Sequence, residues 1–165
     1  LAAALRAMIE QRLAFDALVR PIHLRRIETL ARQHPALAIV VDHGAKPDIA
    51  AGTWQPWADD LAALAALPQV HAKLSGLLTE AGPHAPDDER VRPWAAHVLA
   101  CFGPQRVLWG SDWPVLELAS SYARWWQLSQ AVCAPLGAAE REAVFGGNAR
   151  RVYRLHGGSS RLSAT

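Results

Sequence analysis

Four short apolar runs, each followed by a longer stretch with helical spacing, constrain this chain more than any other feature. The runs are "FDALV" (15–19), "LAIVVDH" (37–43), "VHAKLSG" (70–76) and "RVLWG" (106–110). The second is apolar at successive positions and rich in β-branched residues, as a strand buried on both faces must be. The third is weaker, because Lys73 interrupts it. Between them lie helical stripes: Leu24, Ile27, Leu30 and Ala31; then Trp57, Leu61, Leu64 and Leu67; then Val91, Trp94, Val98, Leu99 and Phe102. Asp59 and Asp60 sit at the positive end of the second helix, predicted to start near Trp54. Strand starts near 15, 37, 70 and 106 are spaced by roughly two to three dozen residues, the size of a βαβ unit. The order therefore predicts an α/β fold with parallel strands. Periodicity alone fits a doubly wound open sheet as well as a barrel.

Composition narrows the partners. The 165 residues are 51% hydrophobic and 19% charged, with a formal net charge of +2, which is the balance of one folded domain with one core. The basic residues are scattered, so there is no electrostatic footprint for nucleic acid. No run of 18 apolar residues argues for a membrane span, and no basic-then-apolar leader argues for export. Cys101 and Cys133 lie in helical stretches without metal-ligand or redox spacing, which fits a reduced, cytoplasmic setting. A small-molecule substrate is the expected partner. The chain opens inside a helical pattern, with Leu5, Met8, Ile9 and Leu13 on the stripe of Leu1 and no capping residue ahead, so an N-terminal truncation is expected. The last helix is predicted to be capped by Asn148, and the tail 156–165 is polar and expected to be disordered.

In parallel-stranded folds, ligands meet the carboxyl ends of strands. Here each strand end carries polar chemistry: His23 after the first, Asp42 and His43 at the second, Lys73 and Ser75 at the third, Ser111 and Asp112 at the fourth. In "VLWGSDWP" a carboxylate stands between a turn and a tryptophan, with the apolar Trp109, Trp113 and Pro114 on its flank. Asp112 could equally cap the next segment, as Asp in turns often does. A histidine after an apolar run is commonly a core residue, but Asp42 beside His43 favours a site. His23 could touch substrate or only cap a helix, and a lysine at a strand end such as Lys73 could bind substrate or reach solvent. Ser75 lacks the Gly-X-Ser-X-Gly elbow of a serine nucleophile. The seven tryptophans fall mostly at helical spacing and read as packing residues. Trp113 is the exception, offering a flat face to a sugar ring. His71, His84, His97 and His156 read as surface or packing residues.

Five ordered segments, "FDALVRPIHL", "VVDHGAKPDI", "KLSGLLTEAG", "RVLWGSDWPV" and "FGGNARRVYRL", resemble the later half of the amidohydrolase-related family of sugar lactonases and pyrone-dicarboxylate lactonases. The resemblance runs through residues 1–155. It implies strands five to eight, with their helices, of a TIM-like (β/α)8 barrel that hydrolyses cyclic esters. The family's His-X-His pair has no counterpart, since no two histidines here are separated by a single residue. By resemblance His43 matches the sixth-strand histidine and Asp112 the eighth-strand aspartate. They are the expected catalytic residues and tentative ligands of one divalent metal such as zinc, with His23, Lys73 and Trp113 toward substrate. The alternatives are a decarboxylase of the same superfamily and a non-catalytic half-barrel that self-associates through its open edges. A half-barrel would expose Val, Leu and Ile side chains, each forfeiting about 1.5 to 3 kcal/mol of burial.

Overall fold

The apolar runs pair side by side in chain order. The computed structural model describes residues 2–82 and 87–155, beginning with helix α1 (Ala2–Glu10) and strand β1 (Ala14–Ala17). Then come α2 (Leu24–Gln33), β2 (Ala38–Val41), α3 (Trp57–Ala65), β3 (Val70–Leu74), the single turn α4 (Leu77–Glu80) and α5 (Asp88–Phe102). Strand β4 (Val107–Trp109) is followed by α6 (Tyr122–Cys133), α7 (Ala138–Glu142), a π-helical turn (Ala143–Gly147) and α8 (Asn148–Val152). The strands form one parallel sheet in the order β1-β2-β3-β4. Each crossover thus moves to the next neighbour in one direction, and with the uniform hand of such crossovers the helices collect on one face.

Side-chain alternation then separates two faces. Ala17, Ile39, Val41, Val70, Ala72, Leu74 and Val107 join the core against the helices, meeting Leu24, Ile27 and Ala31 of α2, Leu61 and Leu64 of α3, and Val91, Trp94 and Val98 of α5. The other face carries Asp16, Val40, His71, Lys73 and Leu108, paired in register as Asp16 with Val40, Val40 with His71 and Lys73 with Leu108. Lys73 therefore does not weaken β3. It occupies the face that the helices leave alone.

The strands stop early because the chain turns at their carboxyl ends. β1 ends at Ala17, short of the predicted Val19, and α3 starts at Trp57, three residues after the predicted Trp54. Helix starts are capped as composition suggests: Asp87 accepts from the Glu89 N–H (3.1 Å), and Ser121 from the Arg124 N–H (3.3 Å). The expectation for Asn148 fails. Asn148 is the first residue of α8, wholly buried, and its amide donates to the carbonyls of Pro104 and Val107, both at 2.7 Å. Buried carbonyls at the entry of β4 need a donor more than the helix needs a cap. At the amino edge of the sheet, the Arg106 guanidinium donates to the carbonyls of Ala65, Leu67 and Val70 at 2.8–3.1 Å. The predicted tail, His84 and His156 lie outside the described residues.

Candidate active site

The segment after β2 adopts a rare backbone. His43, Gly44, Ala45 and Lys46 all have positive φ, at 53°, 54°, 65° and 51°. A left-handed turn in L-residues costs about 1–2 kcal/mol per residue, so three of these four positions are held against their preference by the surroundings. The restraints are visible. Trp57, 1% exposed, donates its indole N–H to the Gly44 carbonyl at 2.7 Å. Gly44 itself lies where a Cβ would come within 3.0 Å of Val98 Cγ2. The Lys46 ammonium pairs with Glu80 at the end of α4.

This turn lays the His43 ring over the end of β3. Its Nδ1 is 2.7 Å from Ser75 Oγ, a hydroxyl on a residue 1% exposed. Gly76 makes room, since a Cβ there would fall 2.6 Å from Nδ1 and 2.7 Å from Cγ of the ring. Nε2 then faces β4, where it lies 3.6 Å from Asp112 Oδ1. Both side chains are largely buried, 19% and 11% exposed. Asp112 also has positive φ, 59°. A second indole holds its turn, because Trp125 on α6 donates to the Gly110 carbonyl at 2.8 Å. The Ser111 hydroxyl accepts the Trp113 N–H at 3.2 Å, so Ser111, not Asp112, caps the turn. The two groups expected to act together are thus carried from β2 and β4 to one point at the carboxyl edge.

A second polar cluster lies on the face away from the helices. Lys73 Nζ is 2.7 Å from Asp42 Oδ1 and 3.2 Å from Asp16 Oδ2. The Tyr153 hydroxyl, just past α8, donates to Asp16 Oδ1 at 2.6 Å, and its ring centroid is 5.5 Å from the ammonium. Burial opposes the charge on Lys73, but hydrogen bonds to Asp42 and Tyr153 and the Asp42 charge outweigh it, and the pKa rises. Tyr153 is pushed up to about 12, first by burial and then by its bond to Asp16, with Lys73 pulling the other way. Burial also lowers His71 on this face, against hydrogen bonding from the Gln69 and Ile39 backbone and alongside the charges of Arg106 and Arg151.

The remaining predicted residues fall elsewhere. His23 Nδ1 accepts the Arg20 N–H at 3.1 Å, closing the 3-10 turn before α2, and its side chain does not cap that helix. Trp113 is 65% exposed, its indole donating to Glu117 Oε1 at 3.0 Å. A cavity of about 350 Å3 opens between the β1–α2 and β2–α3 connections, against Arg20, Ile22, Gln55, Trp57 and Asp60, and neither His43 nor Asp112 lines it. His97 is a packing residue, within 5.0–5.1 Å of the Trp54 and Trp57 rings. Sequence reasoning missed Ser75 as a histidine partner because only a nucleophile was sought there. It missed Trp57 and Trp125 because helical spacing marked them as packing, although an indole N–H at a buried helix face must find an acceptor.

A metal finds half a donor set. An imidazole nitrogen and a carboxylate oxygen suit zinc, and two ligands of one tetrahedral ion stand roughly 3.3–3.5 Å apart, close to the 3.6 Å seen. Among the described residues, however, no group of three or more His, Cys, Asp or Glu side chains is arranged to hold a metal ion. Likewise no helix among them is long and apolar enough to cross a membrane.

The amidohydrolase family model matches residues 2–155, and the chain belongs to that family. It is 49% identical, over 92% of its length, to an L-fucono-1,5-lactonase of Burkholderia ambifaria, and 40% identical, over 86%, to one of Burkholderia multivorans. Among solved structures it is similar to a Burkholderia multivorans amidohydrolase with bound zinc, at a TM-score of 0.88 and 38% identity over 94% of this chain. It also resembles a putative 2-pyrone-4,6-dicarboxylic acid hydrolase of Pseudomonas putida, at 0.71 and 27% over 91%. The chain spans about half the length of the relatives it matches: 53% and 51% of the two lactonases, 57% and 55% of the two structures.

Proposed function

We propose that this chain forms the carboxyl-terminal half of a (β/α)8 barrel whose complete active site hydrolyses a sugar lactone. The observation that carries the reading is the approach of His43 Nε2 to within 3.6 Å of Asp112 Oδ1 from separate strand ends, in a chain 49% identical to an L-fucono-1,5-lactonase. The monotonic strand order supports a barrel segment, since a doubly wound sheet reverses its order at a switch point.

Lactone hydrolysis needs an activated water, a polarised carbonyl and a proton for the departing alkoxide. Asp112 takes the proton from water as its oxygen bonds to the carbonyl carbon, and returns it to the ring oxygen as the acyl C–O bond breaks. His43 lies within reach of the same carbonyl oxygen and stabilises the charge that gathers there. The left-handed turns hold both groups in place before substrate arrives, so little reorganisation accompanies the reaction. His43 and Asp112 would together hold a divalent cation, whose chemistry there is to polarise the carbonyl and acidify water. Other donors would have to come from outside the described residues. Trp113, with its exposed ring, would receive a sugar face. His23 and Lys73, expected toward substrate, are each held by protein partners, and in this reading they support the site from there.

The test is a chimera in which residues 2–155 replace the matching half of the Burkholderia ambifaria lactonase, assayed by acid release against a panel of aldonolactones. Hydrolysis with L-fucono-1,5-lactone among the best substrates is expected. A folded chimera that opens no lactone would overturn the reading. The open edges β1 and β4 support a second reading for the chain by itself, self-association through unpaired strands, which size-exclusion chromatography across a concentration series tests.

A further inference from the structure

We infer that Ser75 is the positioning residue that sets the tautomer of His43, donating its hydroxyl proton to Nδ1 so that the ring carries its own proton on Nε2. The inference rests on reading His43 and Asp112 as the reacting pair. It is decided without turnover.

The proton inventory leads there. Nε2 faces Asp112 Oδ1 at 3.6 Å, and both side chains are more than four-fifths buried. An ionised carboxylate only accepts hydrogen bonds. A bare Nε2 lone pair would therefore face carboxylate lone pairs across a gap with little water, while an Nε2–H turns the same approach into attraction. With the neutral ring's single proton on Nε2, Nδ1 becomes an acceptor and needs a donor. The group 2.7 Å away is Ser75 Oγ, 1% exposed. A hydroxyl supplies that donor, whereas the carboxylate or backbone carbonyl usually found behind a metal-bound histidine only accepts and forces the proton onto Nδ1. Space fixes the pairing further. A side chain on Gly76 would strike the ring at 2.6 Å, and one on Gly110 would come within 3.3 Å of Ser75 Cβ. The ring and hydroxyl are thus enclosed by two positions without side chains.

The choice of serine has a chemical consequence. With no cation beside Asp112 the hydroxyl donates, but it can also rotate to accept. The same residue therefore presents Nε2–H to a substrate carbonyl, or accepts from Nδ1–H and leaves the Nε2 lone pair to a cation seated beside Asp112. An acceptor-only partner would allow only the second form.

The experiment is a long-range proton–nitrogen NMR correlation on the 15N-labelled 165-residue chain, free of metal and at a pH well above the imidazole range. His43 is assigned by its loss in His43→Gln. Nδ1 should resonate as an unprotonated, pyridine-type nitrogen and Nε2 as a protonated, pyrrole-type one. In Ser75→Ala this preference should collapse toward the mixture of an exposed histidine, and Ser75→Thr should restore it. Nδ1–H in the parent chain would overturn the proposal at once, whether or not the variants fold. So would an undiminished Nε2–H preference in a folded Ser75→Ala chain. A chimera inactive on every lactone would sink the functional reading yet leave this result standing.

Discussion

The two polar clusters obey different rules. On the face away from the helices, Asp16, Asp42, Lys73 and Tyr153 bond to one another at 2.6–3.2 Å, and no strand residue in that cluster has positive φ. At the carboxyl edge, His43 and Asp112 stand 3.6 Å apart on backbones that both have positive φ. One cluster is ion-paired and relaxed. The other is strained, and its two facing atoms sit beyond ordinary hydrogen-bond length. Close ion pairing without strain is what a structural ion network needs. Backbone strain persists only where the surrounding structure over-determines it, and such positions cluster at ligand clamps and active sites.

Substitutions that break each cluster should therefore read out differently. The largest effect is expected for Asp112→Asn in the chimera. It keeps the shape and removes the proposed base, so turnover should fall about 10²–10⁴-fold while the circular dichroism and melting temperature stay near the parent's. Gly76→Ala comes next. Its Cβ would meet the His43 ring at 2.6 Å and its φ is 67°, so the ring must leave or the turn must open. A stability loss of about 1–3 kcal/mol is expected from such overpacking, measured by urea unfolding, together with loss of the Nε2–H signature.

Lys73→Met tests the ion-paired cluster. Asp16 and Asp42 would repel each other without their shared cation. A loss of about 1–2 kcal/mol is expected, below that of a fully buried pair because the lysine side chain is 25% exposed. If the lysine only supports the sheet, the chimera's KM should stay within a factor of about two while stability falls. Trp57→Phe separates packing from clamping. It keeps a ring in the aromatic group with Trp54 and Trp94 but leaves the Gly44 carbonyl without its donor. About 1–3 kcal/mol is the expected cost, with broadened His43 resonances as the mark of a loosened turn.

How far the residues announced this arrangement depends on what was asked of them. The parallel α/β order was legible because apolar runs and helical stripes alternate through residue 133, and α2, α3 and α5 bury most of the stripes that spacing picked out, with Leu30, Leu67 and Leu99 partly buried. His43 and Asp112 were legible as strand-end polar groups, and the structure brings them together. Their supports were not. Four consecutive positive φ angles leave no local mark when only one of the four residues is glycine. Gly76 and Gly110 matter for what they do not place against side chains from other strands. Asp16 and Tyr153 are 137 residues apart, and no periodicity links such positions. Lys73 looked like a fault in its strand because period-two patterning cannot show which face stays free of helices. Asn148 looked like a cap because Asn commonly is one, while its use by the Pro104 and Val107 carbonyls depends on a fold already formed.

The smallest expected effect is the one that most directly separates the two clusters. Tyr153 is raised from an ordinary 10.0 to about 12, so the folded chain holds its phenolic proton where the unfolded chain has released it. The stabilisation is present in full below pH 10 and is lost as pH rises toward 12, since in that window folding takes up a proton. Only Tyr122 and Tyr153 contribute phenolate absorbance in this chain. A spectrophotometric titration should thus show one step delayed toward 12, which Tyr153→Phe removes while costing about 0.5–1.5 kcal/mol at neutral pH through its lost bond to Asp16. Because Asp16 keeps Lys73 at 3.2 Å, the rest of the network should survive, and the Nε2–H signature of His43 should not move. A shift there would mean that the ion-paired cluster helps to set the strained one, and the division between them would have to be redrawn as a single network running through Asp42 into the His43 turn.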